Sequence, residues 1–383
     1  MTVQYEGRAL DGRARTGLVR TAHGSFETPA FLPVGTQGTV KGVDPDRLRE
    51  IGVEILLANT YHLHLRPGEE TVAAVGGLHR FMGWEGPILT DSGGYQVFSL
   101  AARCRIEEEG VTFRSHVDGA PVRLTPEGAV SIQAALGSDV AMVLDECPPD
   151  PSDRETVARA VERTLRWAAR CARAHRDLDP RGQALFGIVQ GGIFEDLRRE
   201  CLERLVEIGF EGYAAGGVSV GEGRPLLREG LAASAPHLPE DRPRYLMGVG
   251  LPEDLVEAVE AGFDFFDCTA PTRNGRNGLA FTAEGPLRLR NARHARDPRP
   301  IEEECDAICC RRFSRASLRH HFLAGEMLGP LLASVHNLRF FSRLVASMRE
   351  AIAARRYAPW KRGFLDRYGS GEVSGDEGPE CSK

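Results

Sequence analysis

The stretch DFFDCTAPTRNGRNG, residues 264–278, sets a carboxylate and two guanidiniums close together in the chain. Phe263, Phe265 and Phe266 form a short apolar run that reads as a buried strand. The run ends on Asp267 and passes through Pro271 into a turn carrying Arg273, Gly275, Arg276 and Gly278. A carboxylate at a strand end, followed by a glycine-rich loop with two arginines, can present a nucleophile beside a polyanion. Taken alone, the same residues also describe a strand terminus with a solvated basic loop. The other strand ends decide between the two.

Apolar runs recur at residues 30–34, 53–58, 88–89, 140–144, 185–189, 213–215, 245–247 and 263–266. At their ends stand Asn59, Asp91, Asp145, Gln190, Gly217, Met247 and Asp267. Each alone can serve as a helix cap or turn residue, but carboxylates converging on one mouth repel one another, so a purely structural placement is costly. Asp91 opens TDSGGYQ; after Ser92, Gly93 and Gly94 let the backbone approach a ligand closely, and Tyr95 can stack on a flat ring. LDECPPD sets Asp145 at its strand end, with Cys147 and two prolines in the loop. Gln190 of FGIVQGG can donate and accept along one edge of a heterocycle, and GGVSVGEG offers backbone groups at Gly216, Gly217 and Val218. A carboxylate, a primary amide and backbone N–H groups suit a guanine-like edge. They make a purine pocket rather than a phosphate loop.

Strands alternate with amphipathic segments, the clearest being residues 154–175 with Val157, Val161, Leu165, Ala168 and Ala172 on one face. Eight such units predict a (β/α)8 barrel, whose chemistry is built at the carboxyl ends of its strands. A doubly wound open sheet is the other arrangement, but no Gly-x-Gly-x-x-Gly follows the first strand. Residues 1–28 read as a hairpin capping the barrel. Residues 100–125, with turn signals at Glu109-Gly110 and Asp118-Gly119, read as an inserted β-hairpin after the third strand. The expected division is a barrel with its cap over 1–284, a small subdomain over 285–345, a C-terminal helix over 346–368 and a disordered polar tail over 369–383.

Composition sets bounds on this. The chain has 383 residues, 42% hydrophobic and 27% charged, which fits a globular protein with a sizeable core. Net charge is −6, so any nucleic-acid contact must be a local patch rather than a general coat. No run is long enough to span a bilayer and no signal-peptide pattern opens the chain, so the cytoplasm is the expected compartment. Of the nine cysteines only Cys305, Cys309 and Cys310 cluster, which in an intracellular chain suggests metal before disulfide.

In their order, TDSGGYQ, LDECPPD, FGIVQGG, GGVSVGEG, YLMGVG and FDCTAPTRNGRNG resemble the bacterial tRNA-guanine transglycosylases (queuine tRNA-ribosyltransferases), and ANTYHLHLRPG at 58–68 and SVHNLRFF at 334–341 fit as well. The resemblance covers roughly residues 1–368. It implies an irregular (β/α)8 TIM barrel with a C-terminal zinc-binding subdomain, acting on tRNA as a homodimer. By that likeness Asp267 attacks the ribose anomeric carbon of the wobble guanosine in a U-G-U anticodon, and Asp91 is the acid and base. Asp145, Gln190, Gly216, Gly217 and Val218 then read the base edge, between Tyr95 and Met247. Thr272, Arg273, Asn274, Gly275 and Arg276 match the loop that holds the anticodon. Gly248, Val249, Gly250, Leu251, Pro252, Glu253 and Asp254 match a second RNA-contacting turn. Cys147 and Val220 match the bacterial pattern for 7-aminomethyl-7-deazaguanine as the incoming base, with guanine leaving.

The family's zinc motif reads Cys-x-Cys-x-x-Cys with a later His. Here Cys305, Cys310 and His336 are in register, but Ala307 stands at the middle cysteine. Cys309 is the expected replacement, since structural zinc takes four ligands; a lost site with Cys309 as a free thiol is the alternative. Other functions are less well served. His62 and His64 form the His-x-His of a metal-dependent amidohydrolase, but later strand ends lack the further histidines. A non-catalytic tRNA-binding partner subunit of a transglycosylase heterodimer would be expected to lack Asp91 or Asp267, and both are present.

Overall fold

The computed structural model describes residues 3–95, 104–218 and 224–369. Its centre is a closed barrel of eight parallel strands: β4 (Ala30–Gly35), β5 (Leu56–Ala58), β6 (Ile88–Thr90), β10 (Val140–Met142), β11 (Ala184–Val189), β12 (Gly212–Ala215), β13 (Arg244–Leu246) and β14 (Phe265–Cys268). Closure is made by β14 pairing with β4, Phe265 opposite Ala30 and Asp267 opposite Leu32. Strands covered on both faces must be apolar throughout, which is why these runs are continuous rather than alternating. Inside, Phe265 stacks on Tyr245 at 4.9 Å and meets Phe26 edge-on at 5.6 Å.

Three antiparallel strands, β1 (Gln4–Asp11), β2 (Ala14–Thr21) and β3 (Gly24–Thr28), close the amino-terminal end. The predicted hairpin thus gains a third strand. Its anchor is a buried ion pair: Arg15 Nε donates to Asp264 Oδ1 at 2.8 Å, immediately before β14. The insertion after β6 also has three strands, β7 (Arg105–Glu107), β8 (Gly110–Arg114) and β9 (Pro121–Leu124), because both predicted turns are used.

The helix predicted at 154–175 runs over Arg154–Leu178, capped by Asp153, and buries the five predicted apolar positions. After the barrel come a hairpin of β15 (Leu279–Thr282) and β16 (Gly285–Arg288), short helices at Ile308–Arg312 and Arg315–Leu323, and long helices at Leu328–Ala353 and Tyr357–Gly369. The Leu328–Ala353 helix packs on β1, β2 and β4, so it joins the subdomain to the barrel wall. Val220, the residues beyond Gly369 and the first part of the insertion lie outside the described residues. Among the described residues, no helix is long and apolar enough to cross a membrane.

Candidate active site

The three carboxylates meet at the carboxyl ends of β6, β10 and β14. Asp267 is the third residue of β14, within the strand end where the sequence places it. Its Oδ1 accepts from the Tyr245 hydroxyl at 2.5 Å and from the Gly248 amide at 2.8 Å. Among the described residues, Oδ2 accepts no hydrogen bond. Burial holds the Asp267 carboxyl above its usual range, and the two donors oppose that. Tyr245 is held well above the usual tyrosine range by burial and by the charges of Asp267 and Asp91.

Asp91 follows β6 and is buried. Asn59 Nδ2 donates to its Oδ2 at 2.5 Å, and the Thr60 amide donates to its Oδ1 at 2.8 Å. The Thr60 hydroxyl donates to the Asp91 carbonyl at 2.5 Å, tying the ends of β5 and β6 together.

Asp145, two residues beyond Val143, is also buried, and Gln190 Nε2 donates to its Oδ2 at 2.6 Å. Burial pushes the Asp145 carboxyl up to about 6; Gln190 lowers it, while Glu146 and Asp91 raise it further. Gln190 is fully buried, and its Oε1 has no partner among the described residues. It lies against Gly216 and Gly217. A Cβ at Gly217, where φ is +64°, would stand 2.4 Å from Gln190 Oε1. Gly94 backs directly onto Asp145, and Ser92 Oγ accepts from the Gly94 amide at 3.3 Å. Val218 is buried, Cys147 and Met247 are half-buried, and Tyr95 is exposed at the rim.

The basic stretch differs from the predicted loop. Residues Ala270–Arg276 form a short helix with Pro271 in its first turn. Thr272, Asn274 and Gly275 are buried against the Leu328–Ala353 helix, whereas Arg273 and Arg276 remain half-buried. Gly275 is required there, since a Cβ would stand 2.7 Å from the Ser334 amide nitrogen. Arg276 is lowered by burial and then by Arg273, and its Nη1 is buried without a partner among the described residues. The second turn runs from Gly248 into the Pro252–Ala261 helix; Val249 and Asp254 are buried, and Asp254 pairs with Arg224 at 2.9 Å.

Two supports were not visible in the chain and a third was only faintly so. Tyr245 looks like any core aromatic. Arg198, in a helix rich in charge, is buried and donates to the carbonyls of Gly192 at 2.6 Å and Gly216 at 3.1 Å, bracing the loops after β11 and β12. Asn59 was signalled only by standing at a strand end. Among the described residues, His62 and His64 belong to no cluster of possible metal ligands; burial lowers His62 to about 4, and His64 bonds to Glu69 at 2.8 Å.

A second centre lies in the C-terminal region. The ligand atoms of Cys305, Cys309, Cys310 and His336 all fall within 4.8 Å of one another, close to the edges of roughly 3.8 Å expected for ligands about 2.3 Å from one tetrahedral ion. His336 Nε2 bonds to the Phe281 carbonyl at 2.7 Å, which turns Nδ1 toward the thiols, 3.3 Å from Cys310 Sγ. Cys309 and Cys310 sit in the helix Ile308–Arg312, their sulfurs 4.0 Å apart, and Ala307 is its buried N-cap. The four residues can hold a metal ion.

The chain as a whole has close relatives. The family model described as queuine tRNA-ribosyltransferase matches residues 11–370. A queuine tRNA-ribosyltransferase of Syntrophobacter fumaroxidans is 57% identical over 368 residues, covering 96% of this chain and 98% of that protein. One of Symbiobacterium thermophilum is 54% identical over 375 residues, covering 97% and 93%. With that match running unbroken through the barrel, the three carboxylates and the cysteine cluster, the chain belongs to the queuine tRNA-ribosyltransferase family.

Proposed function

We propose that this protein is a tRNA-guanine transglycosylase of queuosine biosynthesis, exchanging the wobble guanine of U-G-U anticodons for 7-aminomethyl-7-deazaguanine. The observation that carries the proposal is the hydrogen-bonding of Asp267. One oxygen is held by Tyr245 and Gly248 while the other accepts nothing from the described residues, at a barrel mouth shared with Asp91 and Asp145.

Asp267 Oδ2 attacks the ribose anomeric carbon as the bond to guanine N9 breaks, leaving a ribosyl ester. Asp91 in its acid form gives a proton to the departing guanine. The new base then loses its N9 proton to the Asp91 carboxylate and displaces Asp267. Two displacements retain configuration, as in a retaining glycosidase. Asp145 accepts from the base N–H and amine, and Gln190 Oε1, which has no partner among the described residues, and the backbone at Gly217 and Val218 complete the edge. Arg276, with a buried nitrogen lacking a partner among the described residues, and Arg273 beside it suit anticodon phosphates. Thr272, Asn274 and Gly275 act by shaping the helix that carries them. Cys147 and Val220 favour an aminomethyl substituent.

Cys305, Cys309, Cys310 and His336 would hold zinc, which at such a site would cross-link its segments and take no part in the chemistry. The protein works in the cytoplasm as a homodimer.

The test uses purified protein, a U-G-U anticodon stem-loop and labelled 7-aminomethyl-7-deazaguanine. Wild type incorporates label and forms a covalent RNA adduct on denaturing gels, and Asp267→Asn does neither. Stem-loop binding without exchange would instead support a non-catalytic partner subunit.

A further inference from the structure

At the opposite end of the barrel, the β2–β3 turn, the Gly77–Met82 helix and the residue before β10 bring His23, His79 and Asp139 together, with ligand atoms all within 4.8 Å of one another. Asp139 is fully buried. It accepts from His23 Nδ1 at 2.9 Å and His79 Nε2 at 3.1 Å, using a different oxygen for each. Two backbone amides, His23 at 3.0 Å and Ile88 at 2.9 Å, fix the carboxylate in place, so its orientation costs nothing further when a ligand arrives. The imidazoles stack, ring centroids 3.6 Å apart, and the His23 side chain is 46% exposed, so the cluster opens to solvent.

We propose that this triad is a second metal site, distinct from the cysteine centre, for a borderline divalent ion such as Ni2+. Two imidazole nitrogens and one carboxylate favour late first-row ions over Mg2+ or Ca2+, and the absence of a thiolate separates it from the cysteine site. Each imidazole carries its proton on the other ring nitrogen when the ion takes the place of the present hydrogen bonds. Asp139 and Asp145 are at opposite ends of β10, roughly 20 Å apart at about 3.3 Å per residue, so the ion plays no part in base exchange. Its effect is mechanical. It joins the N-terminal sheet to the floor of the barrel, the end where such folds are built for stability.

Untagged, zinc-loaded protein is dialysed against micromolar Ni2+, and nickel and zinc are counted separately by elemental analysis. Wild type takes up about one nickel per chain with its zinc unchanged, and its melting temperature rises by about 3 °C near saturation. His23→Ala and His79→Ala lose both the nickel and the rise, while zinc content and base exchange stay at wild-type values. His23 is exposed enough that its removal leaves the fold intact, so that variant carries the test if His79→Ala misfolds. No nickel on zinc-replete wild type, or nickel retained by His23→Ala, would overturn the proposal.

Discussion

The Tyr245 hydroxyl donates to Asp267 Oδ1 across the neighbouring strands β13 and β14. The bond aims the opposite oxygen into the mouth and offsets part of the burial that raises the Asp267 carboxyl. Tyr245→Phe keeps the stack on Phe265 and removes only the hydroxyl. A hydrogen bond to a charged group is worth about 1.5–3 kcal/mol, so adduct formation should slow by about 10- to 100-fold. With one donor fewer the carboxylate ionises at higher pH, so the acidic limb of the rate profile should also move upward. Single-turnover rates across pH measure both effects, and an unmoved profile would remove Tyr245 from the mechanism.

Asp145 has a carboxyl pushed up to about 6, chiefly by burial. A base offering two N–H donors needs the ionised form, so KM for the incoming base should rise steeply as pH falls below about 6. The same shift bears on stability. Because the folded pKa is above the unfolded value, the folded state binds more protons between about pH 4 and 6, and stability is lost as pH rises through that window. Asp145→Asn removes the penalty, so the variant should gain up to roughly 3 kcal/mol over wild type above pH 6 and little below pH 4. It should be the more stable protein and the poorer enzyme. Parallel melting curves and base KM values check this.

Gly217 fills a different need. At φ +64° and with Gln190 Oε1 only 2.4 Å from a Cβ, Gly217→Ala must move the Gln190 amide. KM for the base should rise by about tenfold or more, while stem-loop affinity, which the proposed function assigns to the arginine helix, should stay the same. Equal losses in both would place Gly217 in general folding instead.

How far the chain could be read follows from these residues. The barrel was legible because its strands are covered on both faces and therefore uniformly apolar, and the strand ends pointed to Asp91, Asp145 and Asp267 together. The Ala270–Arg276 segment was not legible as a helix, because glycine and asparagine are turn residues by local preference. Packing of Gly275 on Ser334, far away in sequence, overrides that preference. Tyr245 and Arg198 were hidden for a similar reason: their partners are a carboxylate on the next strand and carbonyls in the loops after β11 and β12, which no local pattern encodes.

The cysteine cluster gives the sharpest separation of local sequence from spatial role. Ala307 occupies the family's cysteine position, yet it is buried as the N-cap of the helix that carries Cys309 into the cluster. If Cys309 fills the fourth corner of a zinc site, Cys309→Ser should drop zinc from about one per chain to a small fraction and lower the melting temperature by about 5–10 °C. Adding Ala307→Cys to that variant puts a thiolate back in the same corner from two residues upstream and should restore both. Full zinc in Cys309→Ser would assign the fourth ligand elsewhere, and failure of the double variant to recover would mean that the helical path around Ala307 has committed the site to Cys309 alone.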